Sequence, residues 1–211
     1  MINNKKIIVV LPAFNAGKTL EKTLEQIPLE IVDDIILVDD YSSDNTIEIA
    51  EKYGLENIFE HTSNLGYGAN QKTCYEKALE LNADIIIMLH PDYQYTPKLI
   101  QSISYIIANE VYPVVLGSRI LGKGALRGGM PHYKYFFNRI LTLFQNIILN
   151  EKLSEYHTGY RGFSAEVLKT INFKNNSDDF VFDNQVLTQI FMKNFEIGEI
   201  TWSMKKKKKT I

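Results

Sequence analysis

Apolar residues fall along the chain in short aliphatic runs separated by stretches with helical spacing. Residues 7–11 read Ile-Ile-Val-Val-Leu and are followed by Pro12, the pattern of a strand buried on both faces and stopped by the proline. Leu20, Leu24 and Ile27 then recur at helical intervals until Pro28. Residues 35–38 repeat the strand pattern, and a polar turn spans 39–45. Asn45 with Glu48 three residues later predicts a capped helix start, with the helix stopping at Gly54. A weak third strand is expected at 58–60. Gly66 and Gly68 are read as loosening the backbone before a helix over about 70–81. Residues 85–89 (Ile-Ile-Ile-Met-Leu) form the most apolar strand. A helix striped with Leu99, Ile103, Ile106 and Ile107 and a fifth strand at 114–116 follow.

Strands alternating with helices imply parallel βαβ units, in which ligands sit in the crevice beyond the carboxyl ends of the strands. The polar clusters occupy those exits: Asn15, Asp39 with Asp40, Asn64 with Gly66, Asp92 with Gln94, and Gly117-Ser118-Arg119. Beyond Arg119 the alternation breaks into a Gly-rich loop, a long helix over about 133–149, a loop ending in His157-Thr158-Gly159-Tyr160-Arg161-Gly162, two helices and a last strand near 197–202. The expected architecture is a single α/β domain over 1–203, with a mixed, mainly parallel, Rossmann-like sheet flanked by helices. Residues 1–119 form its first half, 120–203 a lid and acceptor region built onto it, and a disordered basic tail is expected over 204–211.

Composition narrows the class. With 211 residues, 45% hydrophobic and 23% charged, the chain is large enough for one α/β core and unlike disordered or disulfide-rich sequences. A net charge of −2 gives no global field for nucleic acid, and no nucleic-acid partner is expected. The single cysteine, Cys74, suits a reducing compartment. The N-terminal apolar run is too short for a signal peptide, and no run approaches the ~18 apolar residues of a spanning helix. A cytoplasmic location is expected, with peripheral contact at the inner face of a membrane left open. The stripe of Tyr133, Tyr135, Phe136, Phe137, Leu141, Leu143 and Phe144, carrying Lys134 and Arg139, suits an interfacial helix, although core packing is the commoner fate of such a stripe.

Several side chains carry candidate chemistry. Asp39 and Asp40 close a buried strand, where a carboxylate accepts hydrogen bonds from a base or ribose, or caps the next helix. His90, Asp92 and Gln94 follow the most apolar strand. Oxygen ligands suit Mg²⁺ and an imidazole suits Mn²⁺ better; a simple turn is the alternative. Arg119 and Arg161 have the geometry to clamp phosphate, or to sit in ordinary salt bridges.

Six segments in order resemble the inverting nucleotide-sugar glycosyltransferases of family 2, with the GT-A fold, and among them the dolichol-phosphate mannosyltransferase-like enzymes. They are Val-Val-Leu-Pro-Ala-Phe-Asn, Ile-Leu-Val-Asp-Asp-Tyr-Ser-Ser-Asp-Asn-Thr, Asn-Leu-Gly-Tyr-Gly-Ala-Asn, Leu-His-Pro-Asp-Tyr-Gln, Val-Leu-Gly-Ser-Arg and His-Thr-Gly-Tyr-Arg-Gly-Phe-Ser. The resemblance implies transfer of a sugar from a nucleotide diphosphate sugar to a polyprenyl phosphate or glycan acceptor with inversion, with a divalent Mg or Mn ion, in cell-envelope polysaccharide or glycolipid synthesis. It makes Pro12, Phe14 and Asn15 the nucleotide floor, with Phe14 where the family usually has Tyr. Asp39 and Asp40 face the base or ribose, and Asn64 and Gly68 complete the donor site. Asp92 is the second acid of the metal-binding Asp-x-Asp, Gln94 its assisting amide, and His90 replaces the first acid. Arg119 meets the diphosphate, with Arg161 as a second clamp. Asp183 matches approximately the family's carboxylate after the Gly-Tyr-Arg segment and is a general-base candidate, the alternative being a helix cap.

Two rivals follow from the departures. His90, together with an ending in five lysines soon after Trp202, suits a catalytically impaired nucleotide-sugar-binding protein, a truncated or frame-shifted transferase lacking its donor lid. A nucleotidyltransferase of related topology lacks the Gly-rich basic loop that would hold a triphosphate.

Overall fold

Seven of the short runs assemble into one sheet, in a computed structural model that describes residues 1–122, 124–127 and 129–201. The strands are β1 (Ile7–Ala13), β2 (Asp34–Asp39), β3 (Asn57–Glu60), β4 (Ile85–Met88), β5 (Val114–Ser118), β6 (Arg161–Ser164) and β7 (Ile197–Thr201). Their order is β3-β2-β1-β4-β6-β5-β7. All neighbouring pairs are parallel except those of β6, which runs antiparallel to both β4 and β5. The helices are α1 (Leu20–Leu24), α2 (Thr46–Lys52), α3 (Tyr67–Glu80), α4 (Leu99–Ala108), α5 (Gly124–Arg127), α6 (His132–Leu149), α7 (Ala165–Thr170) and α8 (Phe182–Met192).

Two-residue alternation along the central strands feeds two core layers. Ile7, Val9 and Leu11 of β1 and Ile85 and Ile87 of β4 pack with Leu20, Leu24, Ala50, Ile100, Ile103 and Ile107 from α1, α2 and α4. Ile8, Val10, Ile86 and Met88 face the opposite layer, where Cys74, Tyr75, Val167, Phe182, Val186 and Ile190 arrive from α3, α7 and α8. Burying each such aliphatic side chain stabilises the fold by roughly 1.5–3 kcal/mol. The chain goes from β1 to β2 and β3 on one side and returns to place β4 on the other. The crevice beyond the ends of β1 and β4 is therefore the topological switch point.

Three local expectations are corrected. Pro12 does not stop β1, which continues to Ala13. Pairing with β4 ends at Val10, so the proline lies where β1 has only β2 as a ladder partner. The cap of α2 comes from Asp44 rather than Asn45: Asp44 Oδ1 accepts from the Thr46 backbone N–H at 3.1 Å and from the Thr46 hydroxyl at 2.5 Å. Gly68 lies in the first turn of α3, where a Cβ would stand 2.4 Å from the Ser177 carbonyl oxygen; its N–H donates to the Asp178 carbonyl at 2.7 Å. The glycine lets the 177–180 segment close over the start of α3.

The strand β6 is an unpredicted element. Residues 161–162 were expected in a loop, but Arg-Gly-Phe-Ser is a strand flanked on both sides by apolar neighbours that supply its ladder. The stripe on α6 is also corrected, since it is not core: Phe136, Phe137, Leu141 and Phe144 are exposed, and Thr142 is the buried residue of the helix. Trp202 and the basic tail lie outside the described residues. No helix among the described residues is long and apolar enough to cross a membrane.

Candidate active site

A cavity of about 860 Å³ opens at the switch point. Its walls are the end of β1 and the loop after it (Pro12, Phe14, Asn15), Asp40 after β2, the 64–67 segment, His90 and Asp92 after β4, and the 177–180 segment. The β1 loop is tied down from below. Asn15 Oδ1 accepts from the Ser43 backbone N–H at 2.9 Å, and the Asn15 N–H donates to the Ser42 hydroxyl at 2.7 Å. That hydroxyl donates in turn to Asp39 at 2.5 Å, and the Ser42 backbone N–H donates to the same carboxylate at 2.7 Å. Asp39, expected to contact the base or ribose, is thus buried outside the cavity lining, with each oxygen accepting one hydrogen bond from Ser42. Asp40 organises the opposite wall, accepting from the Leu65 and Gly66 N–H groups at 2.8 and 3.0 Å and bonding His61 Nδ1 at 2.8 Å.

Tyr67, at the start of α3, is the centre of the site, and the sequence reading gave it no role. Its ring stacks between Phe180, with centroids 4.8 Å apart, and His90, 5.3 Å away. Its hydroxyl donates to Asp183 Oδ2 at 2.8 Å and lies 3.1 Å from His90 Nε2. Burial, reinforced by the Asp183 carboxylate, raises the phenol pKa, so the hydroxyl keeps its proton. Burial lowers the His90 pKa and Arg161 adds to this, while Asp183 and Asp92 oppose it; the imidazole is neutral near pH 7. With the Tyr67 hydroxyl donating its hydrogen bond to Asp183, Nε2 of the neutral ring carries the hydrogen that points at the phenol oxygen, and the Nδ1 lone pair is left for another ligand. Gly159 fixes the ring, because a Cβ there would meet His90 Cδ2 at 2.5 Å.

Asp183 opens α8 and lies behind Tyr67, outside the cavity lining. It also accepts from Gln71 Nε2 at 3.2 Å and stands 3.5 Å from Arg161 Nη1. Arg161 is corrected from a phosphate clamp to an internal brace: it is 1% exposed and donates to the carbonyls of Thr158, Asp183 and Tyr156 at 2.7, 3.1 and 3.1 Å. Buried carbonyls need donors, and the forked guanidinium supplies three at once. Gln94 is exposed and outside the lining, and its backbone N–H donates to Asp92 at 2.9 Å, so the expected amide ligand is a turn residue here. Arg119 lies beyond the lining over the Tyr95 ring, 5.5 Å from its centroid and 3.9 Å from Glu155. Its buried Nε has no hydrogen-bond partner among the described residues.

The lining contains Asp40, Asp92, Asp178 and Asp179 and no Lys or Arg among the described residues. Asp40 is paired with His61 and Asp178 with Lys72, whereas Asp92 and Asp179 have no ion-pair partner among the described residues. An anionic ligand is repelled by such a wall unless a cation accompanies it. Phe180 and Asp179 were missed in the sequence because they sit in a segment with no periodicity. Tyr67 was legible only as a member of Asn-Leu-Gly-Tyr-Gly-Ala-Asn.

The model of the family described as "Glycosyl transferase family 2" matches residues 8–171. An uncharacterized protein of Methanocaldococcus jannaschii is 32% identical over 199 residues, covering 94% of this chain and 81% of that protein. UDP-N-acetylglucosamine–dolichyl-phosphate N-acetylglucosaminyltransferase of Methanococcus voltae is 26% identical over 213 residues, covering 93% and 84%. The crystal structure of glucosyl-3-phosphoglycerate synthase from Mycobacterium tuberculosis, in complex with Mn²⁺, UDP and glucosyl-3-phosphoglycerate, superposes with a TM-score of 0.73 at 19% identity, covering 95% of this chain and 71% of that one. The fold is therefore that of the GT-A transferases, and the chain belongs to glycosyl transferase family 2.

Proposed function

We propose that this chain moves a sugar from a nucleotide diphosphate sugar to a polyprenyl phosphate, with inversion at the anomeric carbon. Residues 1–119 bind the donor and 120–203 shape the acceptor side. The acid-lined cavity at the β1/β4 switch point carries the reading, since it suits a diphosphate only together with a cation. Among the described residues no group of three or more His, Cys, Asp or Glu forms a metal cage. His90 Nδ1 and Asp92 fit as two ligands of Mn²⁺ or Mg²⁺, with donor phosphate oxygens and water completing the shell. The Mn²⁺ and UDP of the mycobacterial synthase support this assignment. The bound ion would neutralise charge on the departing diphosphate.

Pro12, Phe14 and Asn15 hold the nucleoside from the β1 side, Asp40 and Asn64 from the β2 and β3 side, and Gly68 allows the 177–180 wall to close. Arg119, beyond the lining, supplies positive charge at the sugar end. A phosphate oxygen of the acceptor attacks the anomeric carbon as the bond to the diphosphate oxygen breaks and its electron pair leaves with the diphosphate. An anionic acceptor needs no proton removed. This fits Asp183, whose oxygens already accept from Tyr67 and Gln71 and face the Arg161 guanidinium at 3.5 Å, an arrangement that holds the carboxylate away from an incoming hydroxyl. The dolichyl-phosphate acceptor in the name of the Methanococcus voltae relative points the same way.

The test is incubation with a panel of UDP- and GDP-sugars, Mn²⁺, and either a polyprenyl phosphate or a glycan. The expected result is release of nucleoside diphosphate with formation of a glycosyl polyprenyl phosphate of inverted configuration. Transfer to the glycan alone would make Asp183 the general base of a hydroxyl acceptor. Nucleotide binding with no transfer would identify a catalytically impaired binding protein.

A further inference from the structure

We propose that the outward face of α6 is a docking surface for an anionic lipid bilayer, on which the helix lies in the plane of the interface without crossing it. The helix is inverted relative to a globular surface helix. At ~100° per residue its inward line runs through Asn138, Thr142, Gln145 and Asn146. Two of these make polar contacts away from α6: Gln145 donates to Asn184 at 3.3 Å, and Asn146 donates to the Leu153 carbonyl at 2.9 Å and accepts from Tyr156 at 2.7 Å, while Thr142 stays within the helix by bonding Asn138 at 3.4 Å. The opposite face carries Phe136, Phe137, Leu141, Phe144, Ile147 and Ile148. Phe137 is 65% exposed and Ile148 78%, against 1% for Thr142. A contiguous apolar stripe about 18 Å long, from Phe136 to Ile148, is more than a monomer leaves to water without a partner.

Charge identifies the partner. Between Glu110 and Glu151 the chain has no Asp or Glu but five basic residues, Arg119, Lys123, Arg127, Lys134 and Arg139. On the helix, Lys134 and Arg139 fall on opposite borders of the apolar stripe, where long cationic side chains reach headgroup phosphates while their stems lie over acyl chains. A protein partner's core would bury this face without calling for cations along both edges. No helix of the described residues is long and apolar enough to span a bilayer, so α6 lies on it. Gln145 bonds Asn184, the residue after Asp183, so a docked α6 sets the acceptor side of the active site against the surface from which a lipid-linked acceptor would come. The inference rests on α6 itself and stands apart from the acceptor assignment.

The test is co-sedimentation of the full chain, without nucleotide, with vesicles of phosphatidylcholine alone or mixed with phosphatidylglycerol. Binding to the anionic vesicles that weakens as salt rises is expected. The Phe137→Glu/Phe144→Glu pair, whose side chains are exposed, should keep the melting temperature and lose binding by ~10-fold or more. The Lys134→Gln/Arg139→Gln pair should lose the preference for anionic vesicles. Absence of binding to anionic vesicles, or undiminished binding by the Phe pair, would overturn the proposal. Concentration-dependent self-association abolished by the Phe pair, without vesicle binding, would assign the face to a second copy of the chain instead.

Discussion

Tyr67 donates a hydrogen bond to Asp183 across 2.8 Å and thereby joins the first turn of α3 to the first turn of α8 behind the cavity. The same hydroxyl meets His90 Nε2, so one phenol sets both the carboxylate and the imidazole. Tyr67→Phe keeps the stack with Phe180 and His90 and removes only the hydroxyl. The variant should lose ~1–3 kcal/mol of stability, because two buried polar groups lose their partner. Turnover should fall at least ~10-fold with nucleoside diphosphate affinity within a factor of about two, which steady-state kinetics and calorimetry on one preparation would check.

Arg161 braces the floor under Asp183 rather than touching ligand. Arg161→Met leaves three carbonyls without their donor and the buried Asp183 carboxylate without its counter-ion, and should cost ~3–5 kcal/mol in chemical denaturation. Nucleoside diphosphate affinity of the folded fraction should stay unchanged. A selective loss of affinity at full stability would restore the phosphate-clamp reading.

Asp183→Asn separates the two acceptors. With a polyprenyl phosphate acceptor the loss of turnover should stay below ~10-fold, whereas a general base for a hydroxyl would cost ~10²–10⁴-fold. The melting temperature must be followed alongside, since Asp183 also faces Arg161 at 3.5 Å.

His90→Asp restores two acids around residue 91. An all-oxygen pair suits the harder ion, so metal preference in nucleotide binding should move from Mn²⁺ towards Mg²⁺. An unchanged ratio of the two metal affinities would exclude His90 as a ligand.

The sheet was legible because apolar runs such as 85–88 have nowhere to go but a two-sided core, and polar exits after such runs mark the crevice. The strand at Arg161 was not legible. Of its residues only Phe163 favours a strand, and the pairing with β4 and β5 makes the segment one. The same limit hid the site's wiring. Asp92 and His90 follow from their place after β4, but residues separated by 116 positions, such as Tyr67 and Asp183, meet only through packing of α3 on α8. The α6 stripe was legible as helical, but its choice between core and interface was not, because periodicity reports that a face is apolar and not what covers it.

The most direct test is calorimetric titration of UDP and of GDP into the intact chain with Mn²⁺, with Mg²⁺ and with EDTA, repeated for Asp92→Ala. The account predicts a single site that requires the metal, prefers Mn²⁺ and disappears in Asp92→Ala while the melting temperature of the free protein is kept. Nucleotide binding that survives EDTA and the loss of Asp92 would contradict a metal-bridged diphosphate in this cavity.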